Sequence, residues 1–313
     1  MHINYKGISY YLGLFCFPIS LLAFFNILFS SYFNYFLNLN SYVITLGLSL
    51  VIGSIFYLFG NKTNKKIDFQ EQLILVILIY LTISLLISAP YYLSNYQISF
   101  INSFFESMSG LTGTGFSVFE DIKYLDPTLI LWRSSSQWIG GLYFLFSIIL
   151  LIDIFDINLK KSLTNFLSFN TSETLKQSTK ILILYTSLTF GIFVILNMSN
   201  IRSFNSFNLA LTIISSGGFL PTNDLSNIID TKTKEIFFSL MMLTSFFSLF
   251  LSYNIVTIKK KNINFFHEDF YLLIYLCFLI VLFFLLFNSS YSFSSIFLSL
   301  SSSISNIGLS LNG

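Results

Sequence analysis

The chain has 313 residues, of which 54% are hydrophobic and 10% are charged, and its formal net charge is +2. A soluble domain carries about 25% charged residues, so this composition argues against a soluble enzyme or a nucleic-acid-binding protein. Apolar stretches of about 20 residues, long enough to cross a bilayer as helices, predict a polytopic all-α membrane protein. The two histidines are isolated, the two cysteines lie in apolar segments that predict inert buried thiols, and no nucleophile lies beside a base. The sequence therefore predicts neither an enzyme nor a covalently bound cofactor.

Hydropathy predicts seven spanning helices. In chain order they occupy 9–30, 41–60, 71–92, 128–152, 180–197, 235–256 and 269–288. The first is longer than the apolar core of a signal peptide and lacks a small-residue cleavage pattern, so we interpret it as a retained helix. Semi-apolar segments that are too short to span follow the third, fifth and seventh helices.

Basic residues predict the orientation of these helices. With the N-terminus in the cytoplasm, eleven of the sixteen Lys and Arg residues lie on the inner side. Cytoplasmic loops of membrane proteins carry such an excess of positive charge. The three semi-apolar segments are then expected at the outer face.

These three segments form an internal repeat. They read FFESMSGLTGTGFSVFED from Phe104, FNLALTIISSGGFLPTND from Phe207 and FLSLSSSISNIGLSLNG from Phe297. Each has a glycine eleven residues after its first phenylalanine and a hydroxyl residue three positions before that glycine. The glycines are Gly115, Gly218 and Gly308, and the hydroxyl residues are Thr112, Ser215 and Ser305.

The repeat predicts three re-entrant loops, each made of a short helix and an extended segment. Non-helical backbone at membrane depth is tolerated only where it is buried in protein or lines a watery path. Glycine reaches positive φ and lets successive carbonyls point at one axis, as in potassium filters, whose TVGYG run resembles TGTGF at 112–116. The first short helix, predicted at about 98–110, would direct its negative dipole end toward that axis and favour a cation.

We therefore predict K⁺ at carbonyls of a selectivity filter made by the three loops. The predicted filter residues are Thr112, Gly113, Thr114 and Gly115, then Ser215, Ser216, Gly217 and Gly218, then Ser305, Asn306, Ile307 and Gly308. The alternative is that the glycines only allow close packing of helices, as small residues do in membranes.

The loops resemble the pore loops of the Trk/Ktr/HKT superfamily of bacterial, fungal and plant potassium and sodium uptake proteins. ISAPYYL, at the end of the third helix, is similar to the apolar-Pro element that closes the family's first outer helix. WRSSSQWIGGLYFLF at 132–146 is similar to the run that follows the family's first pore loop. SSGGFLPTND and SNIGLSLNG match its second and third loops.

The resemblance implies a role for several further residues. Arg133 is expected to be a structural brace behind the first pore loop, with Gln137 four residues on and hence on the same helix face. Gly140 and Gly141 are grouped with this brace and are expected to permit close approach of a helix rather than to bind anything. Snorkelling of Arg133 to the lipid head groups is the alternative for this side chain. Glycine at the filter position of the first loop implies that potassium is accepted, because a serine there accompanies sodium transport in the family.

The resemblance also implies an assembly. It predicts a multi-pass homodimer in the bacterial inner membrane, with a separate cytosolic nucleotide-binding subunit as regulator. The units are expected at 1–66 for an N-terminal hairpin, 67–160 and 161–262 for two helix–pore loop–helix repeats, and 263–313 for an incomplete third. Because the family has four repeats, the natural protein is expected to continue for roughly 150 residues, about one and a half repeats.

Two classes of function remain open from the sequence. The first is a potassium uptake subunit driven by membrane potential, with a sodium-selective or ion-coupled symporter of the same family as a variant. The second is a non-transporting membrane scaffold or enzyme whose glycine loops are packing devices.

Overall fold

A computed structural model describes residues 3–61, 67–151, 171–257, 265–287 and 292–310 of the chain. Within these ranges the protein is all-helical and contains no strand, which confirms the predicted fold class. The helices are α1 (Tyr5–Phe33), α2 (Leu39–Gly60), α3 (Phe69–Tyr92), α4 (Phe100–Thr112), α5 (Pro127–Leu151), α6 (Thr171–Met198), α7 (Ser203–Ile214), α8 (Lys232–Thr257), α9 (Phe265–Phe287) and α10 (Phe293–Ile304).

The protein is a multi-pass membrane protein. Four described stretches are long and apolar enough to cross a membrane: Tyr5–Phe33, Leu39–Gly60, Gln70–Tyr92 and Thr179–Met198. They coincide with the predicted first, second, third and fifth spans. The predicted fourth, sixth and seventh spans fall on α5, α8 and α9, which are 25, 26 and 23 residues long.

Long and short helices alternate after the N-terminal hairpin. The short helices α4, α7 and α10 have 13, 12 and 12 residues, too few to span a bilayer. Each follows a long helix, so the order long–short–long occurs twice and then begins a third time. The predicted unit boundaries after 66, 160 and 262 lie outside the described residues and stay predictions.

Helices α1 and α2 pack closely because glycines let their backbones touch. A Cβ atom on Gly13 would lie 2.5 Å from the backbone nitrogen of Tyr57 and 2.7 Å from the carbonyl oxygen of Gly53. Nearer the open end of the hairpin, a Cβ atom on Gly60 would overlap the carbonyl oxygen of Lys6. Small residues commonly permit such contact between helices in membranes.

The hairpin is joined by hydrogen bonds to the helix that follows the first loop. The Tyr143 hydroxyl on α5 donates to the Phe15 carbonyl on α1 at 2.6 Å. The Tyr42 hydroxyl on α2 donates to the Thr128 hydroxyl at 3.3 Å, at the start of α5. These two hydrogen bonds therefore join the N-terminal hairpin to α5.

The prediction of buried thiols holds for only one of the two cysteines. Cys16 is buried in α1, whereas Cys277 is exposed on α9. The prediction is wrong for Cys277 because its face of α9 is not covered by any other part of the chain that the structure describes.

Candidate functional site

Each short helix ends in the same turn. The residue two positions before the aligned glycine takes a left-handed conformation in all three loops: Gly113 with φ 68°, Ser216 with φ 53° and Asn306 with φ 61°. The next backbone N–H donates to the carbonyl five residues earlier, in the pairs Thr114–Ser109, Gly217–Thr212 and Ile307–Ser302. This bond pattern satisfies carbonyls that the helix end leaves without partners. Helix α4 ends at Thr112, two residues beyond its predicted end at about 110.

The aligned glycines share a second positive φ. The values are 80° for Gly115, 81° for Gly218 and 73° for Gly308. Residues with a Cβ atom adopt this conformation only with strain, whereas glycine adopts it freely. The register deduced from the sequence therefore corresponds to one backbone conformation repeated three times.

The three loops lie side by side in chain order. A Cβ atom on Gly115 would be 2.8 Å from the Gly217 carbonyl oxygen in the second loop. A Cβ atom on Gly218 would be 2.7 Å from the Ile307 carbonyl oxygen in the third loop. At Gly308 no described heavy atom lies within 4 Å of that position. Each of the first two glycines thus allows the carbonyl of the next loop to approach.

The predicted hydroxyl residues cap their own short helices. Thr112 donates to the Met108 carbonyl at 2.8 Å, Ser215 to the Leu211 carbonyl at 2.9 Å, and Ser305 to the Ser302 carbonyl at 3.3 Å. Because each hydroxyl group donates its proton within its own loop, its oxygen can act only as an acceptor toward any other group. In the first loop the Thr112 and Thr114 hydroxyl oxygens lie 2.5 Å apart.

Gln137 holds the second loop by three hydrogen bonds. Its side-chain nitrogen donates to the Gly217 carbonyl at 2.5 Å. Its side-chain oxygen accepts from the Thr212 hydroxyl at 2.9 Å and from the Phe219 backbone N–H at 3.2 Å. The sequence associated Gln137 with the first loop, and its hydrogen bonds to the second correct that placement. The reason is that α5 packs between the two loops. This packing cannot be deduced from the position of α5 in the sequence.

Arg133 lies one turn before Gln137 on α5 and is fully buried. Its Nε donates to Glu106 Oε1 at 2.8 Å, and both side chains are almost completely inaccessible to solvent, with exposures of 1% and 0%. Snorkelling to the head groups is therefore excluded for this side chain. Glu106 belongs to α4, so the ion pair joins the helix after the first loop to the helix before it.

Gly140 and Gly141 bring α5 against the backbone of both loops. A Cβ atom on Gly140 would overlap the Leu111 carbonyl oxygen at the end of α4. A Cβ atom on Gly141 would lie 2.5 Å from the Tyr185 hydroxyl oxygen and 2.9 Å from Ser215 Cβ. The two neighbouring glycines thus contact different loops.

The segments after the first two glycines are also linked directly to each other. The Asn223 side-chain nitrogen donates to Asp121 Oδ1 at 2.7 Å, and the Lys123 backbone N–H donates to Asn223 Oδ1 at 3.0 Å. These bonds join residues that are about one hundred positions apart in sequence.

Two functional features escaped the sequence analysis. Glu106 was given no role from the sequence, although a single carboxylate inside an apolar short helix requires a buried partner. A hydroxyl residue six positions before the glycine also bonds to the carbonyl just after it, from Ser109 to Phe116 at 2.6 Å and from Thr212 to Phe219 at 3.0 Å. A longer alignment of the repeats could have found this second signal.

Comparison with known proteins finds similarity to proteins named as transporters, although no family model matches the chain. It is 28% identical over 236 residues to an uncharacterised cation transporter of Methanocaldococcus jannaschii, covering 68% of this chain and 46% of the relative. It is 24% identical over 243 residues to the Trk system potassium uptake protein TrkH of Halomonas elongata, covering 73% and 48%. It is 23% identical over 230 residues to TrkG of Escherichia coli K12, covering 71% and 47%.

A solved structure has the same fold. The potassium transporter TrkH from Vibrio parahaemolyticus aligns with 99% of this chain and 66% of its own, with a TM-score of 0.72 and 20% sequence identity. Together, the fold and the repeated loops define an all-α polytopic membrane protein that is similar to proteins named as cation and potassium transporters. More particularly, the chain is similar to the Trk potassium uptake proteins TrkH and TrkG, which agrees with the resemblance seen in the loops. The chain spans about half the length of the curated relatives it matches.

Proposed function

We propose that the chain is a subunit of a potassium uptake system and conducts K⁺ between its three glycine loops. The observation that carries this proposal is the repeated backbone conformation, in which two positive-φ residues two positions apart follow each short helix. Packing glycines would not need the same pair of φ values three times. A set of loops that presents carbonyls to one path does need them.

The proposed ion ligands are backbone carbonyls of 112–115, 215–218 and 305–308. The carbonyls of Gly217 and Ile307 approach the neighbouring loops at Gly115 and Gly218. Gly217 O also accepts the Gln137 amide, so one of its lone pairs is occupied and its direction is held by a buried side chain. The short helices bring the negative ends of their dipoles to the loops, which favours a cation there.

Membrane potential is the proposed driving force. One elementary charge that crosses 100 mV gains about 2.3 kcal/mol, enough for roughly fiftyfold accumulation. Within the described residues no group of three or more His, Cys, Asp or Glu side chains could hold a metal ion. The backbone of the loops is therefore the proposed cation site.

Potassium is the proposed cation because the three aligned positions are all glycine. The relatives that carry the name potassium uptake protein support this choice. A sodium-selective protein or an ion-coupled symporter is the competing form of the same proposal. An experiment in which K⁺ and Na⁺ compete during uptake distinguishes the potassium proposal from the sodium-selective one.

The proposed setting is the bacterial inner membrane, with the N-terminus in the cytoplasm and the loops at the outer face. A homodimer and a separate cytosolic nucleotide-binding regulator are proposed partners, because the resembling family assembles in this way. The inner segments 152–170 and 258–264 lie outside the described residues. Isolation of the protein from its native membrane, followed by identification of the co-purifying subunits, tests this part of the proposal.

Uptake in cells tests the transport proposal directly. Cells that lack their own potassium systems are given the gene in its complete reading frame, and rubidium or potassium uptake is compared with that of cells carrying an empty vector. The proposal predicts growth at low potassium and uptake above the control. Equal uptake in both strains, with the protein present in the membrane, would contradict it.

A further inference from the structure

The Arg133 guanidinium contacts both the first and the second loop. In addition to Glu106, its Nη2 donates to the Ser117 hydroxyl oxygen at 2.9 Å, in the segment just after Gly115. Its Nη1 donates to the Leu220 carbonyl at 3.4 Å, in the corresponding segment after Gly218. One side chain thus contacts both the segment that follows Gly115 and the segment that follows Gly218.

Aromatic rings from the same two segments enclose the guanidinium. Its central carbon lies 5.4 Å from the centre of the Phe119 ring and 4.4 Å from the centre of the Phe219 ring. Aromatic faces attract a guanidinium electrostatically, and they do so more strongly where water is excluded. Each loop therefore supplies both a polar contact and a ring contact.

Glu106 fixes the guanidinium from the side of the first loop. Its Oε2 accepts the Val118 backbone N–H at 2.8 Å, and its Oε1 accepts the Ser117 hydroxyl at 3.1 Å as well as Arg133 Nε. Both carboxylate oxygens are used, and the carboxylate is completely buried. A buried ion pair is often no more stable than apolar residues of the same size, so its role here is better sought in positioning than in stability.

We propose that Glu106 and Arg133 form an inter-loop strap that sets the spacing of the first and second loops and thereby the preference between K⁺ and Na⁺. This inference rests on the proposed cation conduction. Gly115 and the Gly217 carbonyl face each other between these two loops, so a change in loop spacing changes the distance between proposed ligands. Arg133 and Glu106 are positioning residues in this account, since neither supplies a proposed ligand atom.

Lysine cannot replace arginine in the strap. A guanidinium has a planar fork of donors that reaches Glu106, Ser117 and Leu220 at once, whereas an ammonium is a compact point charge. Arg133→Lys keeps the positive charge beside Glu106 but loses the simultaneous contacts to both loops. We therefore expect Arg133→Lys to preserve insertion and to change selectivity.

The test compares matched variants of the protein expressed from its complete reading frame and reconstituted into lipid vesicles. Arg133→Lys and Glu106→Gln are compared with Arg202→Lys and Glu120→Gln, whose side chains are exposed. Folding is checked by the tryptophan emission, to which the buried Trp132 and the partly buried Trp138 both contribute, and by elution as a single species. The quantity measured is the ratio of K⁺ to Na⁺ flux.

If Glu106 and Arg133 form this strap, Arg133→Lys and Glu106→Gln should lower the ratio of K⁺ to Na⁺ flux several-fold. The two control variants should leave the ratio unchanged. A milder variant, Ser117→Ala, removes the hydroxyl between Arg133 and Glu106 and should shift the ratio in the same direction even if the charge variants fail to fold. Its control is Ser199→Ala, because Ser199 donates its hydroxyl to the Leu196 carbonyl away from the loops. A ratio unchanged in Ser117→Ala and in every folded charge variant would overturn the strap. Absence of cation flux through the unmodified protein would instead overturn the proposed function.

Discussion

Gly115 adopts a φ of 80° where a Cβ atom would lie 2.8 Å from the Gly217 carbonyl oxygen. Serine at this position would strain the backbone by about 1 kcal/mol or more and push the neighbouring loop away. We expect Gly115→Ser to reduce cation uptake or to shift its preference toward sodium, with membrane insertion intact. Uptake of rubidium and sodium by cells expressing the complete protein measures the effect.

Gly47→Ser is the matched control for this change. Gly47 lies in α2, and among the described residues no heavy atom beyond the adjacent stretch of α2 itself lies within 4 Å of the position that its Cβ atom would take. The control should therefore transport as the unmodified protein does. Equal rubidium and sodium uptake by the two serine variants would argue against a filter at Gly115.

Gln137 offers a second test at the scale of single residues. Gln137→Leu leaves the Gly217 carbonyl, the Phe219 N–H and the Thr212 hydroxyl without this partner, and a buried unsatisfied polar group costs about 1–3 kcal/mol. We expect a clear loss of thermal stability and of uptake. Thermal unfolding followed by tryptophan emission is the measurement, with Gln70→Leu on an exposed position of α3 as control. A Gln137 variant as stable as its control would show that these bonds do not hold the second loop.

At the scale of elements, helix α5 is the piece that organises the site. It carries Arg133, Gln137, Gly140 and Gly141, and these contact the first loop, the second loop or both. The N-terminal hairpin supports α5 from the other side through the Tyr143 hydroxyl. A change on α5 should therefore disturb both loops together.

Gly140→Ala tests this close packing. The added methyl group would overlap the Leu111 carbonyl oxygen, so α5 and the end of α4 would have to separate. Overpacking of this kind costs about 1–3 kcal/mol. We expect a lower unfolding temperature than for the unmodified protein in the same detergent.

Gly191→Ala provides the control on α6. In the part of the chain that the structure describes, no heavy atom beyond the adjacent stretch of α6 lies within 4 Å of its added methyl group. Alanine also favours helix more than glycine does, by about 1 kcal/mol. Its unfolding temperature should stay the same or rise. If Gly140→Ala also leaves the unfolding temperature unchanged, the close approach of α5 to α4 is contradicted.

The sequence predicts some of these elements better than others. Gly115, Gly218 and Gly308 could be aligned because a positive φ demands glycine and the requirement recurs at equal spacing in each segment. Spanning helices could be placed because a bilayer demands long apolar runs. The partner of Gln137 could not be found, since it depends on which loops α5 packs against. Glu106 was missed as a partner of Arg133 for the same reason, because the two residues meet only in the folded protein.

At the scale of the whole molecule, the proposed choice of cation rests on the three aligned glycines. Glycine at all three positions leaves the proposed carbonyl ligands without a side chain above them, and we expect potassium to be accepted. Competition is the measurement: unlabelled potassium should suppress rubidium uptake more strongly than sodium does. Stronger suppression by sodium would mean that the sodium-selective alternative is correct.

We propose that the membrane potential alone drives transport between the loops, and this central claim can be tested with purified protein. The complete protein is reconstituted into vesicles, and an inside-negative potential is imposed by proton efflux through a protonophore, with no sodium gradient present. The account predicts that rubidium accumulates inside in proportion to the imposed potential and leaves when the potential is removed. Uptake no greater than in protein-free vesicles, or uptake that requires a gradient of a second ion, would contradict it.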